Sequence, residues 1–191
     1  IINDILDVSK IEANQLKLEH IAFNLDDVLV NLSVMSSQRA NEKGLELLFD
    51  IAPDIPRSLL GDPLRLGQIL INLVSNAVKF TEQGYVHLQV RQQARDDDQL
   101  TLQFTIRDTG IGMTPEQTSR LFQAFTQADG STTRRFGGTG LGLTIARHLV
   151  EQMGGTIQVN SEPDVGSKFS FAIQLTANQI MNEKRRLIPG T

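Results

Sequence analysis

The sequence predicts an α/β domain, and three observations carry that reading. Apolar residues recur at helical spacing over long segments that open on strong start signals, at Asn24 and at Gly61-Asp62-Pro63. Segments 85–91 and 100–107 alternate apolar and polar residues around Asp96-Asp97-Asp98, as the two strands of an antiparallel hairpin do. Further strand-like segments at 45–51, 156–160 and 168–175 interleave with the helices.

Taken in order, Ile1, Ile5 and Val8, with Ile2, Leu6 and Ser9 beside them, form a short apolar stripe on a helix ending near residue 18. That seam is too short for a coiled coil, and a truncated one would look the same. After an extended stretch at 20–24, Asn24 caps a helix over 25–43 that Gly44 stops. A strand follows at 45–51 and a turn at 53–56. Asp62 as cap and Pro63 at the first helical position start a helix that runs to Thr81. Beyond the hairpin come a loop at Gly110 and Gly112, a short helix at 115–122, and a polar, glycine-containing connection at 125–138 of the length that is usually functional or mobile. A helix over 141–153, stopped by Gly154-Gly155, precedes the last two strands, which pair across a turn holding Pro163 and Gly166.

Composition sets the bounds. The 191 residues amount to a little over one domain at roughly 150 residues each, and 40% apolar with 21% charged residues indicates a folded core. The net charge of -4 provides no basic field for nucleic acid or anionic lipid. The lack of Cys removes disulfides, Cys-based zinc sites and thiol catalysis, and fits a reducing compartment. No apolar run approaches the roughly 18 residues that cross a bilayer, and no signal peptide opens the chain, so this segment is expected to be neither exported nor membrane-spanning. Because it begins on Ile1 inside a helix, it is expected to be a piece of a larger protein.

Three clusters could carry chemistry. On the helix 63–81, otherwise apolar around most of its circumference, Arg65, Gln68, Asn72, Asn76 and Lys79 form one polar stripe. Such a stripe is a solvated outer face or faces a ligand; two Asn one turn apart beside a Lys favour the ligand, because they offer amide oxygens to a hard cation and a point charge to phosphate. Second, Asp108-Thr109-Gly110-Ile111-Gly112 ends a strand in a carboxylate and follows it with glycines that let backbone approach a ligand, although an ordinary turn has the same composition. Third, Gly137-Gly138-Thr139-Gly140-Leu141-Gly142-Leu143 opens a helix whose free amides suit an anion, or else is a flexible linker. A Rossmann fingerprint fails on spacing, since Leu143 stands where glycine is needed, and no Gly-Lys-Ser/Thr completes a P-loop. Gly166-Ser167 reads as a hairpin turn.

The series Asn72-x-x-x-Asn76-x-x-Lys79-Phe80, Asp108-x-Gly110-x-Gly112, Phe122-x-x-Phe125, Gly138-Thr139-Gly140-Leu141-Gly142-Leu143 and Gly166 resembles, in order and spacing, the N, G1, F, G2 and G3 boxes of sensor histidine kinases. The likeness extends over about residues 1–175, and NDILDVSKIEA, GDPLRLGQILINLVSNAVKFT and LFQAFTQAD look most like hybrid kinases. The resemblance implies a Bergerat-type two-layer sandwich, a mixed sheet with helices on one face. It divides the chain into the end of a dimerisation hairpin at 1–19, a catalytic ATP-binding domain at 20–176 and a linker at 177–191. It also implies that Asn76, helped by Asn72, binds Mg²⁺ and that Lys79 meets phosphate. Asp108 would accept the adenine amino hydrogen while Gly110 and Gly112 make room for the base. Gly138, Thr139, Gly140, Leu141, Gly142 and Leu143 would cradle phosphate. Residues 126–138 would be an ATP lid pinned by Phe122 and Phe125, two residues that plain core packing explains equally well, with Arg134 or Arg135 reaching the γ-phosphate.

The family also needs a phosphoacceptor His followed by an acidic residue, and His20, His87 and His148 lack that context. The expected partners are therefore a dimerisation and phosphoacceptor domain elsewhere in the parent chain, and a receiver domain or response regulator. The parent is expected to be homodimeric, cytoplasmic in this part and anchored in the bacterial inner membrane. Two other readings compete. ATP-driven clamps of the gyrase, Hsp90 and MutL branch resemble this pattern but carry a water-activating Glu where Asn72 stands, and an amide cannot take that proton. A nucleotide-binding regulatory module would bind ATP without chemistry.

Overall fold

Alternation of period two builds one face of the sheet and helical stripes cover it. The computed structural model describes residues 2–12, 16–122 and 141–180. In chain order these form α1 (Ile2–Glu12), β1 (Ile21–Asn24), α2 (Leu25–Glu42), β2 (Glu46–Ile51), β3 (Ser58–Gly61), α3 (Pro63–Phe80), β4 (Tyr85–Asp96), β5 (Gln99–Asp108), α4 (Pro115–Arg120), α5 (Gly142–Gln152), β6 (Ile157–Glu162) and β7 (Gly166–Ala177). The strands make one sheet in the order β1-β3-β7-β5-β4-β2, and β6 pairs with β7 outside that path. Among the described residues only β2 and β4 run parallel and every other pair is antiparallel, so the sheet is mixed as expected.

Val86, Leu88 and Val90 of β4, Leu100 to Ile106 at every second position of β5, and Phe169, Phe171, Ile173 and Leu175 of β7 turn inward and are buried. Phe104 and Phe171, directly paired across β5 and β7, stack with ring centroids 5.0 Å apart. On this face α3 packs between α2 and α5, and its Leu66, Ile69, Leu70, Leu73, Val74, Ala77 and Val78 join the same core.

The helix starts follow their cap signals. Asn24 accepts from the Asp26 amide at 2.9 Å, and Asp62, buried, accepts from the Arg65 amide at 3.1 Å with Pro63 in the first turn. Gly44, at φ 67°, closes α2 where only glycine turns left without strain. Three expectations change. β3 was not foreseen: its four residues lie in a turn-rich segment and are held by long-range pairing to β1 and β7. The first helix is described over Ile2–Glu12, and residues 16–20 are irregular where helix was expected to run to about 18; there the Glu19 amide donates to the second carboxylate oxygen of Asp62 at 3.1 Å. β7 begins at Gly166 rather than beyond it. No helix among the described residues is long and apolar enough to cross a membrane.

Candidate functional site

The polar stripe of α3 divides between two neighbouring helices and the helix's own far end. At its start Gln68 donates to Asp7 of α1 at 2.8 Å, Arg65 donates to Gln68 at 2.8 Å, and Arg65 lies 3.6 Å from Asp7. Arg65 and Gln68 therefore hold α1 instead of a ligand, which corrects the reading of the whole stripe as solvent- or ligand-facing. One turn on, the Asn72 amide nitrogen donates to the Gly142 carbonyl at 3.0 Å and ties α3 to the first residue of α5. The side chain of the half-buried Asn76 makes no hydrogen bond among the described residues. Lys79 sits over the Phe80 ring, 5.2 Å from its centroid. Burial pulls its pKa down, and the positive charge of Arg39 adds to that effect.

The end of α3 meets the glycine loop. The Ile111 amide donates to the Phe80 carbonyl at 3.1 Å, and Gly110 lies so close that a Cβ there would collide with that carbonyl and come within 2.9 Å of Thr81 Oγ1. Thr81 is fully buried and donates to the Ala77 carbonyl at 2.7 Å. Gly112, at φ 64°, presses on the Glu162 carbonyl, and Gly166 presses on the Asp108 carbonyl. Gly166 is thus a packing partner of the carboxylate strand end and more than the hairpin turn it resembles in sequence. Ser161 bridges the same region, accepting from the Met113 amide at 2.8 Å and donating to the Gly166 carbonyl at 3.1 Å.

Asp108 is the buried acid of the site, 6% exposed. The amides of Gly110, at 2.9 Å, and Ser167, at 3.3 Å, both donate to Oδ1. Oδ2 has no such partner among the described residues and is not among the sealed polar atoms, so it remains an acceptor open to a ligand. Burial raises the Asp108 pKa above its ordinary value of 3.8, against the opposing pull of the two amides. Neither amide bond was legible in sequence; Ser167 carried no signal beyond its neighbour Gly166.

Leu141 is buried and Leu143 packs against the core, so what they offer a ligand is backbone at the start of α5. Phe122 is anchored on α5: its carbonyl accepts from Thr144 at 3.3 Å, and the Arg147 guanidinium lies 5.7 Å from its ring centroid. Phe125, Gly138, Thr139, Gly140, Arg134 and Arg135 lie outside the described residues.

A mixed sheet under three helices, with amides and a lysine along the middle helix and a buried carboxylate held by glycine contacts at its end, defines a nucleotide-binding α/β domain. The chain belongs to the family of histidine kinase-, DNA gyrase B- and HSP90-like ATPases, whose model matches residues 61–177. Within that family, the relatives it matches are histidine kinases. It is 49% identical over 178 residues to the signal transduction histidine-protein kinase BarA of Escherichia coli, covering 93% of this chain and 19% of that protein. It is 50% identical over 175 residues to the sensor histidine kinase GacS of Pseudomonas protegens, covering 92% of this chain and 19% of that one. The crystal structure of full-length ShkA in complex with AMPPNP superposes with a TM-score of 0.78 at 35% identity, covering 92% of this chain and 35% of ShkA. The chain spans about a fifth of the length of these curated relatives.

A pH dependence follows from Asp108. A donor group of a ligand needs the ionised form, since a protonated carboxyl would oppose one hydrogen with another. ATP affinity is expected to be flat near neutrality and to weaken on acidification from above the ordinary Asp range, following the raised pKa. Calorimetric titrations at stepped pH check this; a decline confined below pH 3.8 contradicts it.

Proposed function

We propose that this chain is the catalytic module of a hybrid sensor histidine kinase, binding Mg-ATP and presenting its γ-phosphoryl group to a histidine on a dimerisation domain outside these residues. The observation that carries transfer over hydrolysis is the bond from Asn72 to Gly142. Position 72 is occupied as a hydrogen-bond donor between α3 and α5, a task a carboxylate cannot perform, and no base stands there to activate water. The binding of AMPPNP named for ShkA supports a nucleotide in the same fold.

The residues fit a magnesium ion. No group of three or more His, Asp or Glu among the described residues is placed to hold a metal, and Mg²⁺ in phosphoryl-transfer sites takes few protein oxygens and completes its shell with phosphate and water. Asn76, whose side-chain amide has no other partner among the described residues, and the side-chain oxygen of Asn72 would hold it. When bound, it would neutralise charge on the phosphates. Lys79 and the backbone at the start of α5 meet the remaining negative charge, and Asp108 Oδ2 accepts the amino group of adenine. Catalysis then rests on positioning and charge, with the attacking imidazole supplied from outside.

Support for that outside partner lies on α1, where Ile2, Ile5 and Leu6 are 75%, 49% and 52% exposed, an apolar face suited to a helical hairpin. The rest of a longer, homodimeric protein would supply the acceptor and a receiver domain. Titrating ATP with Mg²⁺ or with EDTA tests the assignment. Micromolar binding is expected to weaken about tenfold or more in EDTA, and Asn76→Asp is expected to bind less tightly and to respond differently to the metal. Superimposable wild-type curves in Mg²⁺ and EDTA would remove magnesium from the site.

A further inference from the structure

We propose that Lys43 is a positioning residue for the nucleotide site, fixing from behind the helix end on which the base-reading loop hangs. The inference rests on the nucleotide reading above. Lys43 follows α2, outside the region 61–177 that the ATPase family model matches. Its ammonium donates to the carbonyls of Val78 at 2.9 Å, Lys79 at 2.9 Å and Thr81 at 3.1 Å.

Those carbonyls need a partner. The last carbonyls of a helix have no donor within it, and left-handed glycine caps are the usual remedy. α3 instead ends in Thr81 with an extended backbone, at φ -107° and ψ 123°. Lys43 answers the deficit with one cation, which also opposes the negative end of the helix dipole. The carbonyl it leaves out, that of Phe80, is the one that receives the Ile111 amide at 3.1 Å and against which Gly110 is pressed. The Gly110 amide in turn holds Asp108 Oδ1 at 2.9 Å. A chain of contacts therefore runs from Lys43 through the last turn of α3 to the carboxylate that faces the base. Loss of Lys43 frees that turn, and the consequence falls on recognition of the amino group more than on the phosphates.

The test uses the full 191-residue chain and two ligands, ATP and purine riboside triphosphate, which lacks the amino group. Wild type is expected to prefer ATP by about tenfold or more, and Asp108→Asn to abolish that preference. Lys43→Met is expected to cut it at least about threefold while binding purine riboside triphosphate within about twofold of wild type. Hydrogen exchange at the Ile111 amide is expected to accelerate about tenfold, with the Thr109 amide, bonded to the Tyr85 carbonyl at the end of the β4–β5 ladder, unchanged. If Lys43→Met does not fold, Lys43→Gln, which keeps an uncharged NH₂ group with two donors, is read the same way. Equal weakening of both ligands, or an unmoved ratio with unmoved Ile111 exchange, overturns the proposal and leaves Lys43 a stabilising residue only. A wild type that binds neither ligand, or an Asp108→Asn variant that keeps the preference, overturns the nucleotide reading and this proposal with it.

Discussion

Asp108→Asn is expected to weaken ATP binding about ten- to a hundredfold without lowering the melting temperature at neutral pH. The amide keeps an oxygen for the donors at Gly110 and Ser167, so the strand end stays in place. At Oδ2 it puts an NH₂ group opposite the amino group of adenine, and a mismatched buried polar pair costs about 1–3 kcal/mol. Guanine carries a carbonyl there, so the ATP-over-GTP ratio is expected to fall by about tenfold or more. The stability sign is opposite. Because burial raises the Asp108 pKa in the folded state, its contribution is fully present below the unfolded value and is lost as pH rises through the folded one. At neutral pH the substitution removes a charge the fold disfavours, so the variant melts at the wild-type temperature or above, and the advantage vanishes in acid. Paired ATP and GTP titrations with melting curves check both halves; a large drop in melting temperature would mean that Asp108 serves the fold first.

Gly112→Ala is expected to be the most damaging single-methyl change in the site. At φ 64° an added Cβ collides with the Glu162 carbonyl and lies 3.1 Å from Pro163 Cα. Left-handed backbone costs a non-glycine residue about 1–2 kcal/mol, and overpacking adds about 1–3 kcal/mol. The sum, about 2–5 kcal/mol, corresponds to a fall of about 4–20 °C for a domain of this size. ATP affinity should fall as well, because Ile111 and Met113 on either side are bonded to Asp164 and Ser161 of the β6–β7 region. Gly44→Ala is the internal control: its φ is 67° and an added Cβ meets nothing within 4 Å, so it isolates backbone strain. Equal melting shifts for the two variants would show that the close approach at Gly112 contributes nothing.

These two residues illustrate what is legible in sequence and what is not. Caps and periodicity act within a few residues, so Asn24, Asp62-Pro63 and the alternating strands announced α2, α3, β4 and β5. The Asp108, Gly110 and Gly112 cluster also showed itself, because a strand that ends in a carboxylate and is followed by two glycines offers an acid with room for close approach, even though a turn shares that composition. Long-range partners were not legible. Nothing near Arg65 and Gln68 says that α1 rather than solvent or ligand lies opposite, and nothing near Lys43 distinguishes it from a solvated lysine at a helix end. β3 escaped for the same reason, since its pairing energy lies in β1 and β7. Gly166 was under-read because its function, contact with the Asp108 carbonyl, belongs to a strand about sixty residues earlier.

The most direct measurement of phosphoryl transfer mixes the chain with γ-labelled ATP, Mg²⁺ and a purified dimerisation and phosphoacceptor fragment from a relative such as BarA or GacS. Acid-labile phosphohistidine on the added fragment is expected, with little label on the chain itself, slow release of inorganic phosphate, and loss of transfer in Asn76→Asp. Label on His20, His87 or His148 of the chain alone, or rapid hydrolysis indifferent to the fragment, would contradict the assignment.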